Sequence, residues 1–140
     1  MSIQAIVRGN LTKDPVVREV KVDGETRRLV DIRVFSDEYR REGEALVQDD
    51  DRCTGIDATI WTDRLGDQVM AQLRRGARVE VSGGMHLHRY KDRESGEPRA
   101  GLQMNADSVT LVLSRVEAIS FAPTRRERAE AGEDGDAAAH

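Results

Sequence analysis

The sequence predicts an all-β domain, a small five-stranded Greek-key barrel with one short helix between the third and fourth strands. Three observations predict it. Several short segments alternate apolar and polar residues, as half-buried strands do. Turn-forming residues separate these segments. Only the segment after Trp61 has the spacing of an amphipathic helix, which argues against a parallel α/β sheet.

The N-terminal strands follow from this alternation. Ile3–Leu11 is predicted as a strand that runs into a turn at Thr12–Pro15, and Val16–Val22 as a second strand segment. Asp23-Gly24 then predicts a tight hairpin turn, and Arg27–Ser36 a further strand. The following residues, 37–54, are polar and have no usable period. A connection of that length is usually functional or mobile.

The next strand carries the chain's single tryptophan. Ile56, Ala58 and Ile60 alternate with Gly55, Asp57, Thr59 and Trp61. Because side chains alternate between the two faces of a strand, a core-facing Ile56 turns Trp61 outward. An outward indole could stack on a nucleic-acid base, or it could pack against a loop or a second subunit. The strand alone leaves both interpretations open.

A helix and two long strands complete the predicted domain. Thr62 or Asp63 can cap a helix in which Leu65, Val69 and Leu73 form one apolar stripe. Arg74 and Arg75 suit its last turn, and Gly76 its end. Long strands are predicted at 77–90 and 99–113, joined by a polar loop. This order is typical of the OB-fold.

The C-terminal segment is predicted to lie outside the barrel. We therefore divide the chain into a domain at 1–113 and a segment at 114–140. Val116, Ile119 and Phe121 could add a small edge strand, and from Pro123 the charged, then Gly- and Ala-rich tail is expected to be disordered.

Composition bounds the class of protein. Charged residues make up 34% of the chain, and no apolar run approaches the ~20 residues of a membrane helix, so a soluble protein is expected. One cysteine and no visible signal peptide indicate a cytoplasmic, reducing setting. The net charge of −4 argues mildly against nucleic-acid binding, although it does not describe the layout of the charges.

An ordered set of motifs resembles the bacterial single-stranded DNA-binding protein family over about residues 3–113. Gly9-Asn10-Leu11-Thr12-Lys13-Asp14-Pro15-Val16-Val17-Arg18 is similar to that family's Gly-x-Leu-x-x-Asp-Pro-x-x-Arg signature. Similar segments follow in order at 29–35, 61–65, 73–83 and 89–92. The resemblance implies an OB-fold that oligomerises, usually as a homotetramer. It also implies binding of single-stranded DNA, with little sequence preference, in replication, recombination and repair.

The resemblance also implies candidate DNA-binding residues. Trp61, with one extra residue allowed before Leu65, and Tyr90 match base-stacking positions, and Tyr39 falls within one residue of a third. A fourth aromatic position is here Gly55 or Ile56, so stacking there is lost or weakened. Phe35, on the face of Asp31 and Arg33, could stack a base or fill a subunit interface. The predicted basic contacts are Arg33, Arg40, Arg64, His86, His88, Arg89 and Arg99.

The tail departs from the family pattern. It is acidic, but it lacks the apolar Pro-Phe tip that docks partner proteins, so docking by that route is in doubt. The short, divergent form favours a plasmid, phage or integrated-element version of the family.

Alternative functions are weaker on this sequence. His86 and His88 have no second clustered pair for zinc, and Asp57 and Asp63 have no nucleophile beside them, so we expect no metal, no cofactor and no catalysis. The remaining alternative is an OB-fold assembly subunit, similar to primosome proteins, that binds protein through the Trp61 face.

Overall fold

The computed structural model describes residues 3–37, 39–49 and 54–134. Within them the chain forms eight strands, two α-helices and one 3-10 turn. The strands are β1 Ile3–Leu11, β2 Val16–Val22, β3 Glu25–Ser36, β4 Tyr39–Glu42, β5 Ala45–Gln48, β6 Thr54–Ile60, β7 Arg78–Lys91 and β8 Pro98–Leu111. The helices are α1 Asp63–Gln72 and α2 Arg125–Asp134, and the 3-10 turn is Leu113–Arg115.

Six of these strands form one sheet in the order β1-β7-β8-β6-β3-β2. A further pairing of β1 with β3 curls the sheet into a barrel, and it is confined to Asn10–Phe35 and Leu11–Val34. The sheet has one strand more than the five predicted, because Val16–Val22 is a separate strand that pairs with β3. The all-β barrel prediction is confirmed.

The barrel interior is filled by the apolar half of each alternating strand. On β6, Ile56, Ala58 and Ile60 are 3% exposed or less, as their alternation predicts. The same face of β3 adds Ile32 and Val34. The rest of the buried cluster is Val7, Leu11, Val30, Val69, Val79, Val81, Met104 and Ala106. The other face of each strand is therefore left for polar and aromatic side chains.

The β2–β3 connection is the predicted Asp-Gly hairpin. Asp23 and Gly24 have φ angles of 53° and 81°, so both central residues are left-handed. This is the backbone that a two-residue turn needs to match the twist of its strands. Val22 then pairs with Glu25 across the turn.

Helix α1 lies over β3 and β6 and begins where the sequence predicts. Thr62 is its N-cap residue, although its side chain makes no capping hydrogen bond. The prediction for the end of the helix is wrong. The helix stops at Gln72, and Arg74 and Arg75 lie beyond it. The chain leaves the helix early because Leu73 is extended and packs against the core.

Two regions differ from the sequence prediction. The polar segment after β3 contains the hairpin β4–β5, a separate two-stranded sheet; Glu38 and residues 50–53, including Cys53, lie outside the described residues. After β8, no strand forms among residues 112–134. Residues 116–121, where an edge strand could form, are irregular and follow the 3-10 turn, and the first part of the expected disordered tail is helix α2.

Helix α2 has a local explanation. Thr124 accepts a hydrogen bond at Oγ1 from the Glu127 backbone N–H, and Glu127 accepts one from the Thr124 N–H. This reciprocal capping box satisfies two donors at the helix start. Residues 135–140 lie outside the described residues. Neither described helix is long and apolar enough to cross a membrane.

Candidate nucleic-acid interface

The outward face of the sheet forms continuous rows of side chains across four strands. Arg33 on β3 lies opposite Asp57 on β6, and Asp57 lies opposite Gln103 on β8. Gln103 in turn lies opposite His86 on β7. Directly opposed residues share a face. One row therefore carries a guanidinium, a carboxylate, an amide and an imidazole.

Beside this row, two glycines leave the sheet surface without side chains. Gly55 and Gly101 are neighbours across β6 and β8, because the residues that follow them, Ile56 and Leu102, are paired. A Cβ at Gly55 would lie 2.5 Å from Arg33 Nη2, and a Cβ at Gly101 would lie 3.9 Å from Tyr90 Cε1. The guanidinium and the phenol ring thus approach the two glycines from opposite sides.

A groove of about 370 Å³ opens over these glycines. It brings together three of the predicted DNA-binding residues, Arg33, His88 and Tyr90. Asp57 and Gln103, which the sequence analysis did not assign to DNA, line it as well. The size is within the range of sites that hold small ligands, ~300–1,000 Å³. Trp61 does not line this groove.

The Arg33 and Asp57 side chains are joined by an ion pair. Arg33 Nη1 donates to Asp57 Oδ1 at 2.9 Å, and the two side chains are 44% and 53% exposed. Pairs with such exposure contribute only ~0–1 kcal/mol to stability. The pair can therefore open or share its atoms with a ligand at little cost.

Tyr90 and His88 form the opposite wall. Their ring centroids lie 5.9 Å apart with 17° between the ring planes, so the rings are stacked. Tyr90 is half exposed and presents its ring to the groove. Arg89 lies between them in sequence and therefore points to the other face of β7.

Trp61 occupies a separate position at the end of β6. Its Nε1 donates to Asn105 Oδ1 at 3.0 Å, and Asn105 is opposite Thr59 on the outward face. The predicted outward orientation is confirmed, but Trp61 is partly buried. Arg27 lies over the ring, with Cζ 5.5 Å from the centroid, and its Nη2 donates to the Trp61 carbonyl at 3.2 Å.

A second charged pair lies on the outward face of β3. Asp31 accepts hydrogen bonds from Arg18 Nε at 2.6 Å and from Thr59 Oγ1 at 2.8 Å. The hydrogen bond to Asp31 raises the pKa of the Arg18 guanidinium above its ordinary value, so this side chain stays charged. Carboxylates thus alternate with arginines along the face.

The remaining predicted residues do not line the groove. Tyr39 and Arg40 lie on the β4–β5 hairpin, where Arg40 pairs with Glu42 at 2.9 Å. Arg64 is exposed on α1. Arg99 is opposite Tyr90 and pairs with Asp92 at 3.6 Å and Glu97 at 3.8 Å. Phe35 is half-buried where β1 meets β3, opposite both Asn10 and Gly55.

Sequence reasoning missed four residues of this face. Asp57 and Gln103 line the groove, and Arg27 and Asn105 hold Trp61. The polar half of β8 carried a signal for two of them, since Gln103 and Asn105 alternate with inward Leu102, Met104 and Ala106. In the described part of the chain, no three His, Cys, Asp or Glu side chains are grouped so that they could hold a metal ion.

Comparison with known proteins agrees with this architecture. The model of the single-strand binding protein family matches residues 3–112. A small single-stranded DNA-binding protein from Streptomyces coelicolor has a similar structure, with a TM-score of 0.67 and 20% identity over 81% of this chain and 97% of that chain. A Plasmodium falciparum protein, described as an SSB complex with ssDNA, gives a TM-score of 0.58 and 14% identity over 80% of this chain and 95% of that chain. The curated protein sequences gave no match.

Proposed function

This chain belongs to the single-strand binding protein family and is a binder of single-stranded DNA, and we propose that it binds the strand along the outward sheet face, from Trp61 to the groove between Arg33 and Tyr90. The single observation that carries this proposal is the groove itself. It joins an exposed pair of stacked rings, Tyr90 and His88, to the guanidinium of Arg33 over a floor of two glycines. A base can stack on the rings, and a phosphate can pair with the guanidinium.

Stacking supplies the sequence-tolerant part of the affinity. Every base has an aromatic face, and each stacked base contributes about 1–3 kcal/mol. Tyr90 offers a half-exposed ring in the groove. On Trp61 we propose that a base stacks on the ring face opposite to Arg27. No reaction is needed for this role, and we propose that the protein is not an enzyme.

The arginines supply phosphate contacts by exchanging partners. Arg33, Arg40 and Arg99 each lie within 4 Å of a carboxylate on the surface. Because such pairs are weak, a phosphate can replace the carboxylate. The exchange leaves a carboxylate near the DNA, so the electrostatic contribution is smaller than the number of arginines implies. We therefore expect a shallower dependence of affinity on salt than that of a strongly basic protein.

The wider role follows from the family resemblance. We propose a cytoplasmic protein of DNA replication, recombination and repair that works as a homo-oligomer, a tetramer or a dimer. The outer edge of β1 supports assembly, because among the described residues most of β1 pairs with a strand on one side only. Ile3 and Ile6 on this strand are 68% and 72% exposed.

Tryptophan fluorescence tests the proposal directly. The chain has one tryptophan, so titration with oligo-dT reports on Trp61 alone. We expect quenching that saturates, and a mobility shift at low salt that double-stranded DNA does not compete away. Light scattering on the same sample gives the oligomeric state. Absence of both quenching and a shift would exclude this function and leave the Trp61 face as a protein-binding surface.

A further inference from the structure

The groove contains a negative charge that phosphate binding does not explain. Of the described residues that line it, Asp57 alone is acidic. A carboxylate beside a polyanion is repulsive, so a groove built only for phosphates gains nothing from it. A carboxylate is, however, a strong acceptor for N–H groups, which the edges of bases carry.

Arg33 and Asp57 present a donor and an acceptor side by side. One guanidinium N–H already donates to Asp57 Oδ1, and Nη2 lies over Gly55. A guanidinium has five N–H donors, and a carboxylate can accept about four hydrogen bonds. Both residues line the groove, and each can form hydrogen bonds beyond the one that joins them.

The glycine floor gives a base access to this pair. With no side chain at Gly55 or Gly101, a flat ring can rest beside the Tyr90 ring and direct its edge toward Arg33 and Asp57. Gln103, opposite Asp57, adds an amide that can donate or accept. The site then holds a stacking surface together with groups that can distinguish one base from another.

We propose that this groove is a base-selective subsite that prefers guanine. The Watson–Crick edge of guanine has a carbonyl oxygen followed by two adjacent N–H donors. The oxygen matches Arg33, and the two donors match the carboxylate of Asp57. On that edge adenine, cytosine and thymine each carry only one N–H-bearing group, so each donates fewer charge-assisted hydrogen bonds to the carboxylate. This inference rests on the proposed function, since it describes how one nucleotide of the bound strand is held.

Short oligonucleotides that differ at one position test it. We would measure the dissociation constants of nine-nucleotide dT strands with a central dG, dA, dC or dT, by polarisation of an end label. We expect the dG strand to bind about tenfold more tightly than the dT strand. Equal affinity for all four strands would overturn the subsite and leave the proposed function intact. No binding to any strand at low salt would overturn the proposed function.

The Asp57→Asn variant assigns the preference to the carboxylate. We expect it to lose the preference for dG and to bind the dT strand as tightly as the wild type or more tightly, because a charge that repels phosphate is gone. The matched control is Asp67→Asn, since Asp67 is an exposed partner of Arg28 on α1, outside the groove. Circular dichroism confirms that both variants are folded. An Asp57→Asn protein that still prefers dG would overturn the role of Asp57.

Discussion

The guanidinium of Arg27 lies over the indole ring of Trp61, 5.5 Å from the ring centroid, while the indole N–H is bonded to Asn105. The ring is thus fixed at one face and at one edge. The proposed stacking of a base on Trp61 would use its other face. A platform held in advance loses less side-chain entropy when DNA binds.

Removing the ring tests its contribution to binding. The Trp61→Ala change should weaken single-stranded DNA binding by about 1–3 kcal/mol. The protein should remain folded, because Trp61 lies outside the buried cluster. Polarisation of a labelled oligonucleotide gives the affinity, and thermal unfolding gives the stability. Trp61→Phe, which keeps a ring, should lose much less affinity; an equal loss in both variants would contradict stacking.

Removing Arg27 tests whether it positions the Trp61 ring, as distinct from the stacking of the ring on a base. Arg27→Ala should weaken DNA binding by at most ~1 kcal/mol, since an exposed cation–π contact contributes ~0.5–1 kcal/mol. The emission of Trp61 should also shift. Arg28→Ala is the matched control, because Arg28 pairs with Asp67 on α1 and not with Trp61. If both variants bind DNA equally well, Arg27 does not help to position the Trp61 ring.

A methyl group at Gly55 tests the position of Arg33. In Gly55→Ala the new carbon would lie 2.5 Å from Arg33 Nη2, which is too close. The guanidinium must move, and it can do so because it is the end of a flexible side chain. The fold should survive, and binding should weaken by about 1 kcal/mol through loss of a charged contact. Arg33→Ala should cost a similar amount. The double variant should cost no more than either single variant, because both changes remove one interaction.

Gly9 is a position where the same change should affect stability. A Cβ there would overlap the Phe35 carbonyl oxygen, which is backbone and cannot move aside. Overpacking of this kind typically costs ~1–3 kcal/mol. Urea unfolding should show the loss for Gly9→Ala. Gly132→Ala on α2, where nothing lies within 4 Å, is the control and should leave the unfolding midpoint unchanged or slightly higher.

The barrel was predictable because its strands have one buried and one exposed face. The alternation around Ile56, Ala58 and Ile60 and the Asp23-Gly24 turn are local signals, and both are confirmed. The sequence of the β4–β5 hairpin has no such alternation of buried and exposed positions. Its residues are nearly all exposed, so no alternation marks it. Helix α2 is likewise polar on every side, and its capping residues alone mark its start.

The site was predictable only in part, because register decides which side chains meet. The sequence placed Trp61 on the outward face, but Asn105 is 44 residues away and Arg27 is 34 residues away. The groove depends on the neighbouring glycines Gly55 and Gly101, which no local pattern connects. The roles of the predicted DNA-binding residues stay predictions.

The position of β8 between β7 and β6 sets the order in which the domain can form during synthesis. Strand β1 is made first, yet its partner β7 follows some 70 residues later, as in the pairing of Arg8 with Glu80. Until β8 emerges, both β6 and β7 have an unpaired edge that can join another chain. Pairings this distant along the chain slow folding. A nascent chain that ends before Leu111 therefore exposes strand edges at which chains can aggregate, and the sheet is complete only when β8 is inserted.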